Sequence, residues 1–276
     1  MRKRIAAFVL LLLWALFSSS HASARELTVF AASSLTEAFS ELGALFEKNH
    51  PGVKVSANFA GAQTLATQIL LGARADLFAA PRSRALDRLV KAKVVMPGTV
   101  QTFARSRLVL VVPAKNPGRI ERLADVGKSG IKLVVAGPEV PLGERTLLVL
   151  ESLSGRPEFG SQFKREVLRN VVSHEENVKG VLSKVMMGEA DAGFVWAATL
   201  KPEVRKKVQA IAIPDWADPF GEYQIVMLKE GPPAFPTESG RAGRRELAEA
   251  FIKLLFSPEG QRVLKKHNFM PMRGEL

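Results

Sequence analysis

Residues 26–59 decide the fold, and they read ELTVFAASSLTEAFSELGALFEKNHPGVKVSANF. Glu26–Ala31 is rich in apolar and strand-forming residues and predicts a β-strand. Leu35–Lys48 repeats apolar side chains at helical spacing, and Val53–Phe59 returns to strand character. This βαβ order is typical of an α/β fold in which helices cover a mainly parallel sheet.

The same alternation continues along the chain and indicates two lobes. Further helices are predicted near Thr64–Leu71, Arg82–Lys91 and Asn177–Met187, and further strands at Asp76–Ala79, Leu108–Val112, Lys132–Ala136, Ala192–Val195 and Glu222–Met227. The helical tail after Glu222–Met227 is too small to be a domain alone. We therefore expect residues 25–104 plus 222–276 to form lobe 1, residues 105–221 to form lobe 2, and a ligand cleft to lie between them.

The first 24 residues have the pattern of a secretory signal peptide. Arg2–Arg4 precede the apolar run Ile5–Phe17, which the small residues Ala22-Ser23-Ala24 follow. This order predicts cleavage after Ala24 and a periplasmic protein. The apolar run is shorter than the roughly 20 residues of a transmembrane helix, so no stable membrane insertion is expected after cleavage. An uncleaved signal that acts as an anchor is the alternative.

Composition narrows the choice of partners. The chain has no cysteine, which excludes disulfides, thiolate metal sites and a lipid-bearing cysteine. Its 39 lysines and arginines against 27 acidic residues give a formal charge of +12, which favours anionic ligands or simply solubilises the surface. The basic clusters at 201–207 and 241–245 lack interleaved aromatic residues, so nucleic-acid binding is not expected.

Serines stand where the first strand meets the first helix. Ser34 and Glu37 have capping-box spacing, which predicts either a stabilising cap or, with Ser33, a seat for an anion. Further helix starts follow strands at Gly61-Ala62, Pro141-Leu142 and Asn177-Val178. Several helix starts that converge on one cleft could hold an ionised oxyanion without an arginine.

Seven segments, in order over the mature chain, together resemble the molybdate-binding proteins of ABC importers. They are FAASSLTEA (30–38), FA (59–60) with TLATQI (64–69), GARADLF (72–78), GPEVPLG (137–143), ENVKG (176–180), GEADAGFV (188–195) and SPEGQ (257–261). The resemblance implies a two-lobe, type II periplasmic-binding-protein fold that closes around a small ligand. It also implies a monomer that carries molybdate or tungstate to an inner-membrane permease and its ATPase, with no further cofactor and no residue that binds a metal cation directly.

When the family's ligand-binding positions are carried over to this sequence, the resemblance implies a small set of hydrogen-bond donors for the ligand. The hydroxyl donors fall on Ser34, with Ser33 beside it, and the backbone donors fall on Leu142 and Val178.

Two positions depart from the family pattern. Ala62 stands where the family has a second serine, so only its N–H remains, and Trp196 stands where the family has tyrosine. Trp196 either contacts the ligand through its indole N–H or is a core aromatic that ends a strand. A lost charge-assisted hydrogen bond costs about 1.5 to 3 kcal/mol, so another oxyanion or a small organic anion stays open as the ligand.

Readings from other classes have less support. No HExxH or Gly-x-Ser-x-Gly motif is present, and residues 155–160 have P-loop spacing without the required lysine, so we do not expect an enzyme. A sensory protein that reports an anion to a receptor stays open. Asp76 and Asp191 are expected to cap neighbouring loops or helices. Glu144 and Arg145 are expected to form an exposed pair at the cleft rim, with a direct role of Arg145 on the anion as the alternative.

Overall fold

Two five-stranded sheets flanked by helices form the two lobes of the computed structural model, which describes residues 25–217, 220–229 and 238–270. The signal peptide predicted for residues 1–24 lies outside the described residues. Among the residues described, no helix has the length and apolar character needed to span a bilayer.

The first lobe is built from both ends of the described chain. Its strands are β1 (Arg25–Ala32), β2 (Val53–Ala60), β3 (Leu77–Pro81), β4 (Gln101–Ser106) and β10 (Gly221–Met227). Its helices are α1 (Thr36–Asn49), α2 (Ala62–Leu70), α3 (Arg84–Lys91), α8 (Glu238–Phe256) and α9 (Pro258–Lys266). The strand order is β2-β1-β3-β10-β4, so the late strand β10 lies inside the first sheet.

The second lobe comes from the middle of the chain. Its strands are β5 (Leu108–Pro113), β6 (Leu133–Ala136), β7 (Val171–Glu175), β8 (Ala192–Trp196) and β9 (Val208–Ala212). Its helices are α4 (Pro141–Ser154), α5 (Phe163–Arg169), α6 (Val178–Met187) and α7 (Pro202–Arg205). The strand order is β7-β6-β8-β5-β9.

Both sheets are mixed, whereas the sequence predicted mainly parallel ones. In the first sheet β1 runs parallel to β2 and β3, but β10 is antiparallel to β3 and β4. In the second sheet β6 runs parallel to β7 and β8, but β5 is antiparallel to β8 and β9. Strands such as β1 and β8 end at the cleft. Because β5 and β10 begin just after the chain has crossed between lobes, they start at the cleft and run away from it.

Aromatic packing fixes the first helix on its sheet. The Phe39 and Phe46 rings of α1 lie 6.0 and 5.4 Å from the Phe251 ring of α8. All three side chains are almost completely buried, and each contributes about 1.5 to 3 kcal/mol of transfer free energy. The amino end of α1 is thereby held at the cleft edge of the sheet.

The two-lobe α/β class predicted from the sequence is confirmed, and most predicted elements lie within a few residues of the observed ones. The first helix begins at Thr36, because Ser33–Leu35 forms a short 3-10 turn ahead of it. Strands β4, β7 and β9 and helices α5 and α7 were not predicted. β7 and β9 are edge strands with mostly exposed or half-buried side chains, so they carry little apolar signal. The lobe boundaries themselves stay a prediction.

Candidate functional site

A small cavity lies between the lobes where their strands end. Its volume is about 20 Å³. It is lined by Ala32, Ser33, Ser34, Ala60, Gly61, Ala62 and Pro81 from lobe 1 and by Val140, Pro141, Leu142, Asn177, Val178 and Trp196 from lobe 2. By the measure in which one water needs about 10 to 15 Å³, this space has room for about one or two waters.

Four helical segments begin at this cavity. The 3-10 turn that leads into α1 starts at Ser33, α2 starts at Ala62, α4 at Pro141 and α6 at Val178. The first N–H groups of a helix have no partner within the helix, and the helix dipole places partial positive charge there. The cavity wall therefore offers backbone donors from both lobes.

Lobe 1 adds two buried hydroxyl groups. Ser33 and Ser34 both border the cavity and are 6% and 7% exposed. The Tyr223 hydroxyl donates a hydrogen bond to Ser34 Oγ over 3.1 Å. Burial raises the pKa of Tyr223 far above its ordinary value, so its hydroxyl stays protonated. Sequence reasoning missed Tyr223, although it is the only tyrosine in the chain and lies on a predicted strand.

Lobe 2 presents its donors through local packing of the backbone. The Asn177 side chain accepts hydrogen bonds from the N–H groups of Lys179 and Gly180, at 2.9 and 3.2 Å, and it does not bond the N–H of Val178, the first residue of α6, which borders the cavity. A side chain at Gly143 would come within 1.9 Å of the Gly137 carbonyl oxygen. Only glycine therefore lets the start of α4 lie against the preceding loop.

Trp196 has a packing role and also borders the cavity. Its side chain is 3% exposed, and its ring lies edge-on to Tyr223 with 6.0 Å between centroids. A Cβ atom added to Gly221 would lie 2.4 Å from the Trp196 ring, so the indole rests on the backbone where the chain re-enters lobe 1. Trp196 is therefore a core aromatic that also lines the cavity, and a contact of its indole N–H with the ligand stays a prediction.

The six residues predicted to bind the ligand are brought together around this one cavity. They are Ser33, Ser34, Ala62, Leu142, Val178 and Trp196. Ala62 is 2% exposed, and its methyl group occupies the place where the resemblance predicted a serine hydroxyl. Their contact with a ligand stays a prediction.

A larger cleft of about 510 Å³ adjoins the small cavity and shares Pro81, Pro141 and Trp196 with it. Arg145 donates from Nη2 to the Phe220 carbonyl oxygen over 3.1 Å, and a Glu144 oxygen lies 3.8 Å from Arg84 Nε. Burial raises the pKa of Glu144. Glu144 and Arg145 line this larger cleft and are absent from the described lining of the small cavity.

The two aspartates that could be mistaken for catalytic groups accept hydrogen bonds from the backbone in or next to neighbouring strands. Asp76 Oδ2 accepts a hydrogen bond from the Thr28 N–H at 2.7 Å, and Asp191 Oδ2 accepts one from the Lys132 N–H at 2.8 Å. Both lie at the ends of the sheets remote from the cavity. The prediction that they cap adjacent loops or helices is therefore wrong for Asp76, which holds the interior of β1, while Asp191 holds the residue just before β6.

Contacts across the cleft hold the lobes together. Glu37 of lobe 1 lies 2.7 Å from Lys201 Nζ and 3.7 Å from Lys179 Nζ of lobe 2. Burial alone would raise the pKa of Glu37, but the hydrogen bond from Lys201 and the charge of Lys179 lower it overall. Gln63 also donates to the Glu176 carbonyl oxygen over 2.8 Å.

Two lobes that close over a small donor-lined cavity define a ligand-binding protein. The chain belongs to the bacterial extracellular solute-binding protein family, whose model matches residues 27–270. This match confirms the relationship that the sequence segments indicated.

Named relatives agree with that family. The chain is 35% identical over 246 residues to the molybdate-binding protein ModA of Mycobacterium tuberculosis H37Rv, covering 89% of this chain and 85% of that protein. Among solved structures it resembles the periplasmic molybdate-binding protein of Azotobacter vinelandii, with a TM-score of 0.71, 20% identity and coverage of 90% and 100%. It also resembles the sulfate-binding protein SubI of Mycobacterium tuberculosis H37Rv, with a TM-score of 0.75, 19% identity and coverage of 90% and 87%. These two structural likenesses support the fold.

Proposed function

We propose that this chain is the extracytoplasmic binding protein of an ABC importer and that it binds molybdate or tungstate in the small interlobe cavity. The observation that carries the proposal is the convergence of four helical starts and two serine hydroxyls on one cavity. Backbone and hydroxyl donors stabilise an anion at helix starts without a counter-charged side chain. The named molybdate-binding relative at 35% identity supports the choice of ligand.

The chemistry of the wall favours a fully ionised oxyanion. Among the described residues that line the cavity there is no aspartate or glutamate, and the Asn177 side-chain oxygen is already used by two N–H groups. An ion that carries a proton would find no carboxylate to accept it and would have to use a serine hydroxyl as an acceptor in place of a donor, which costs binding free energy. Molybdate, tungstate and sulfate have no proton at neutral pH, whereas phosphate does.

A second candidate ligand is sulfate or another small oxyanion. Ala62 removes one hydroxyl donor that the resemblance predicted, and the fold is also that of a sulfate-binding protein. Organic anions larger than a tetrahedral oxyanion are disfavoured, because they would have to extend past Trp196 into the larger cleft.

Isothermal titration of the mature chain, residues 25–276, with molybdate, tungstate, sulfate and phosphate tests the proposal. We expect one-to-one binding of molybdate and tungstate, at least about 100-fold tighter than binding of phosphate. If sulfate binds more tightly than molybdate, sulfate becomes the proposed ligand. If none of the four ions binds, the anion site is overturned.

Export and delivery form the second half of the proposal. We infer cleavage after Ala24 and transfer of the ligand to a membrane permease with its ATPase. Amino-terminal sequencing of the protein from the producing cell should begin at Arg25.

Loss of the gene should lower cellular molybdenum at limiting supply. Unchanged uptake together with a lost transcriptional response would favour the sensory alternative. Steady turnover of an ester or phosphate substrate by the pure protein would contradict a binding protein.

A further inference from the structure

Tyr223 lies directly behind one of the proposed ligand donors. Its side chain is 0% exposed, and its hydroxyl contacts Ser34 Oγ at 3.1 Å. Phe103, Trp196 and Phe269 hold its ring edge-on, with centroids 6.3, 6.0 and 5.0 Å away. The ring therefore has no room to swing its hydroxyl toward a different partner.

The direction of this hydrogen bond follows from counting protons. The two hydroxyls carry two protons, and Ser34 is the only partner of the Tyr223 hydroxyl among the described residues. If Ser34 donated to Tyr223, the tyrosine proton would be buried without an acceptor, at a cost of about 1 to 3 kcal/mol. Tyr223 must therefore donate to Ser34, and the Ser34 proton is left to point elsewhere.

The remaining direction for the Ser34 proton is the cavity, which Ser34 borders. A hydroxyl that accepts one hydrogen bond also becomes a better donor in the next, because the two bonds polarise each other. We propose that Tyr223 is a positioning residue that commits the Ser34 hydroxyl to donate to the bound oxyanion. The inference rests on the proposed anion site and adds a residue that does not itself reach the ligand.

The tyrosine hydroxyl near this cavity comes from Tyr223 and not from residue 196, where this chain has tryptophan. The resemblance predicted a tyrosine hydroxyl at residue 196, on lobe 2, in contact with the ligand. Here the one tyrosine hydroxyl comes from β10 of lobe 1 and supports a serine donor from behind. The chain therefore uses its tyrosine to strengthen a donor already present.

A double-mutant cycle in anion affinity tests this role. Tyr223→Phe removes only the hydroxyl oxygen and its proton, and Ser34→Ala removes the donor it is proposed to position. With Ser34 present, Tyr223→Phe should weaken binding of molybdate, or of the tightest ion in the titration, by about five- to tenfold. In the Ser34→Ala background the same change should alter affinity by less than about twofold.

Thermal unfolding without ligand supplies a second readout, in which Tyr223→Phe should have opposite effects on the midpoint in the two backgrounds. Tyr223→Phe should lower the midpoint when Ser34 is present, because a buried hydrogen bond is lost. With Ser34→Ala already in place it should raise the midpoint, because it removes a buried proton that has no acceptor. Ser154→Ala is the matched control, since it deletes a hydroxyl that accepts from the Lys164 N–H at 2.9 Å remote from the cleft, and it should leave affinity unchanged.

The outcomes separate the inference from the proposed function. Absence of binding by the unmodified protein would overturn both. Binding by the unmodified protein with equal losses from Tyr223→Phe in the two backgrounds, or with no loss in either, would retain the anion site and overturn the positioning role.

Discussion

The two lobes share a plan but supply different kinds of donor to the cavity. In each lobe an aspartate that precedes one strand, Asp76 or Asp191, accepts a hydrogen bond from a backbone N–H in or next to the neighbouring strand. Lobe 1 presents side-chain hydroxyls in addition to backbone N–H groups, whereas lobe 2 presents backbone N–H groups and the indole of Trp196. A backbone donor survives most substitutions, and a hydroxyl is lost with one. Changes in affinity and ligand choice should therefore concentrate in lobe 1.

The largest effect is expected from Ser34→Asp. A carboxylate about 4 Å from the anion, in partly screened surroundings, repels each negative charge by about 4 kcal/mol. Affinity should fall by at least about 100-fold in titration calorimetry. Ser34→Asn introduces a side chain of the same size as aspartate but without its charge, so it should lose far less affinity. Circular dichroism should show that both variants fold. Binding by Ser34→Asp at the original affinity would remove Ser34 from the site.

The next effect tests whether both lobes act together. Gly61 has φ −60° and ψ 138°, which any residue can adopt, but a methyl group there would lie 2.6 Å from the Glu176 carbonyl oxygen of lobe 2. Gly61→Ala should hold the lobes apart and weaken binding by at least about tenfold, with little change in ligand-free stability. Gly243→Ala is the control, because a methyl group there meets nothing within 4 Å. Equal affinity in the two variants would argue against closure of the lobes on the ligand.

A gain of function should come from Ala62→Ser. This change restores the hydroxyl that the family resemblance predicted at the start of α2. One added net hydrogen bond should tighten molybdate binding by about two- to tenfold in calorimetry. Ala62→Val adds bulk without a donor and should weaken binding. If serine also weakens binding, the cavity has no room for the extra oxygen.

The smallest effect is expected from the exposed ion pairs across the cleft. Glu37→Gln should weaken binding by about twofold in low salt, and less in high salt. Because the pKa of Glu37 is lowered from 4.5, its contribution to closure is present above pH 4.5 and is lost as the pH falls through the lowered value. Glu47→Gln disrupts a pair with Lys54 within lobe 1 and should not alter affinity. Equal effects of the two variants would show that Glu37 does not act across the cleft.

Much of the fold was predictable because its signals are local. Apolar periodicity predicted β1, α1 and β8 within a few residues. Edge strands such as β7 were missed, because their side chains are exposed or half-buried and leave no apolar pattern in the sequence. The mixed order of the sheets was also missed, because strand direction depends on where the chain crosses between lobes.

The residues that line the site could be predicted from the sequence, but the contacts between residues far apart in the chain could not. The helix starts at Ser33, Ala62 and Val178 were found because each follows a strand in a βα unit. Tyr223 was missed because it lies almost 190 residues from its partner Ser34, and no local spacing links them. The contact of Trp196 with Gly221 is equally non-local. Such long-range contacts depend on how the strands order in the sheet, which sequence patterns do not specify.

A crystal structure of the mature protein with tungstate tests the central claim most directly, because tungsten can be located by its anomalous scattering. We predict one strong peak in the small cavity, with oxygens within about 3.2 Å of the Ser33 and Ser34 hydroxyls and of the Leu142 and Val178 nitrogens. A peak among the arginines of the larger cleft, with the small cavity empty, would contradict the account.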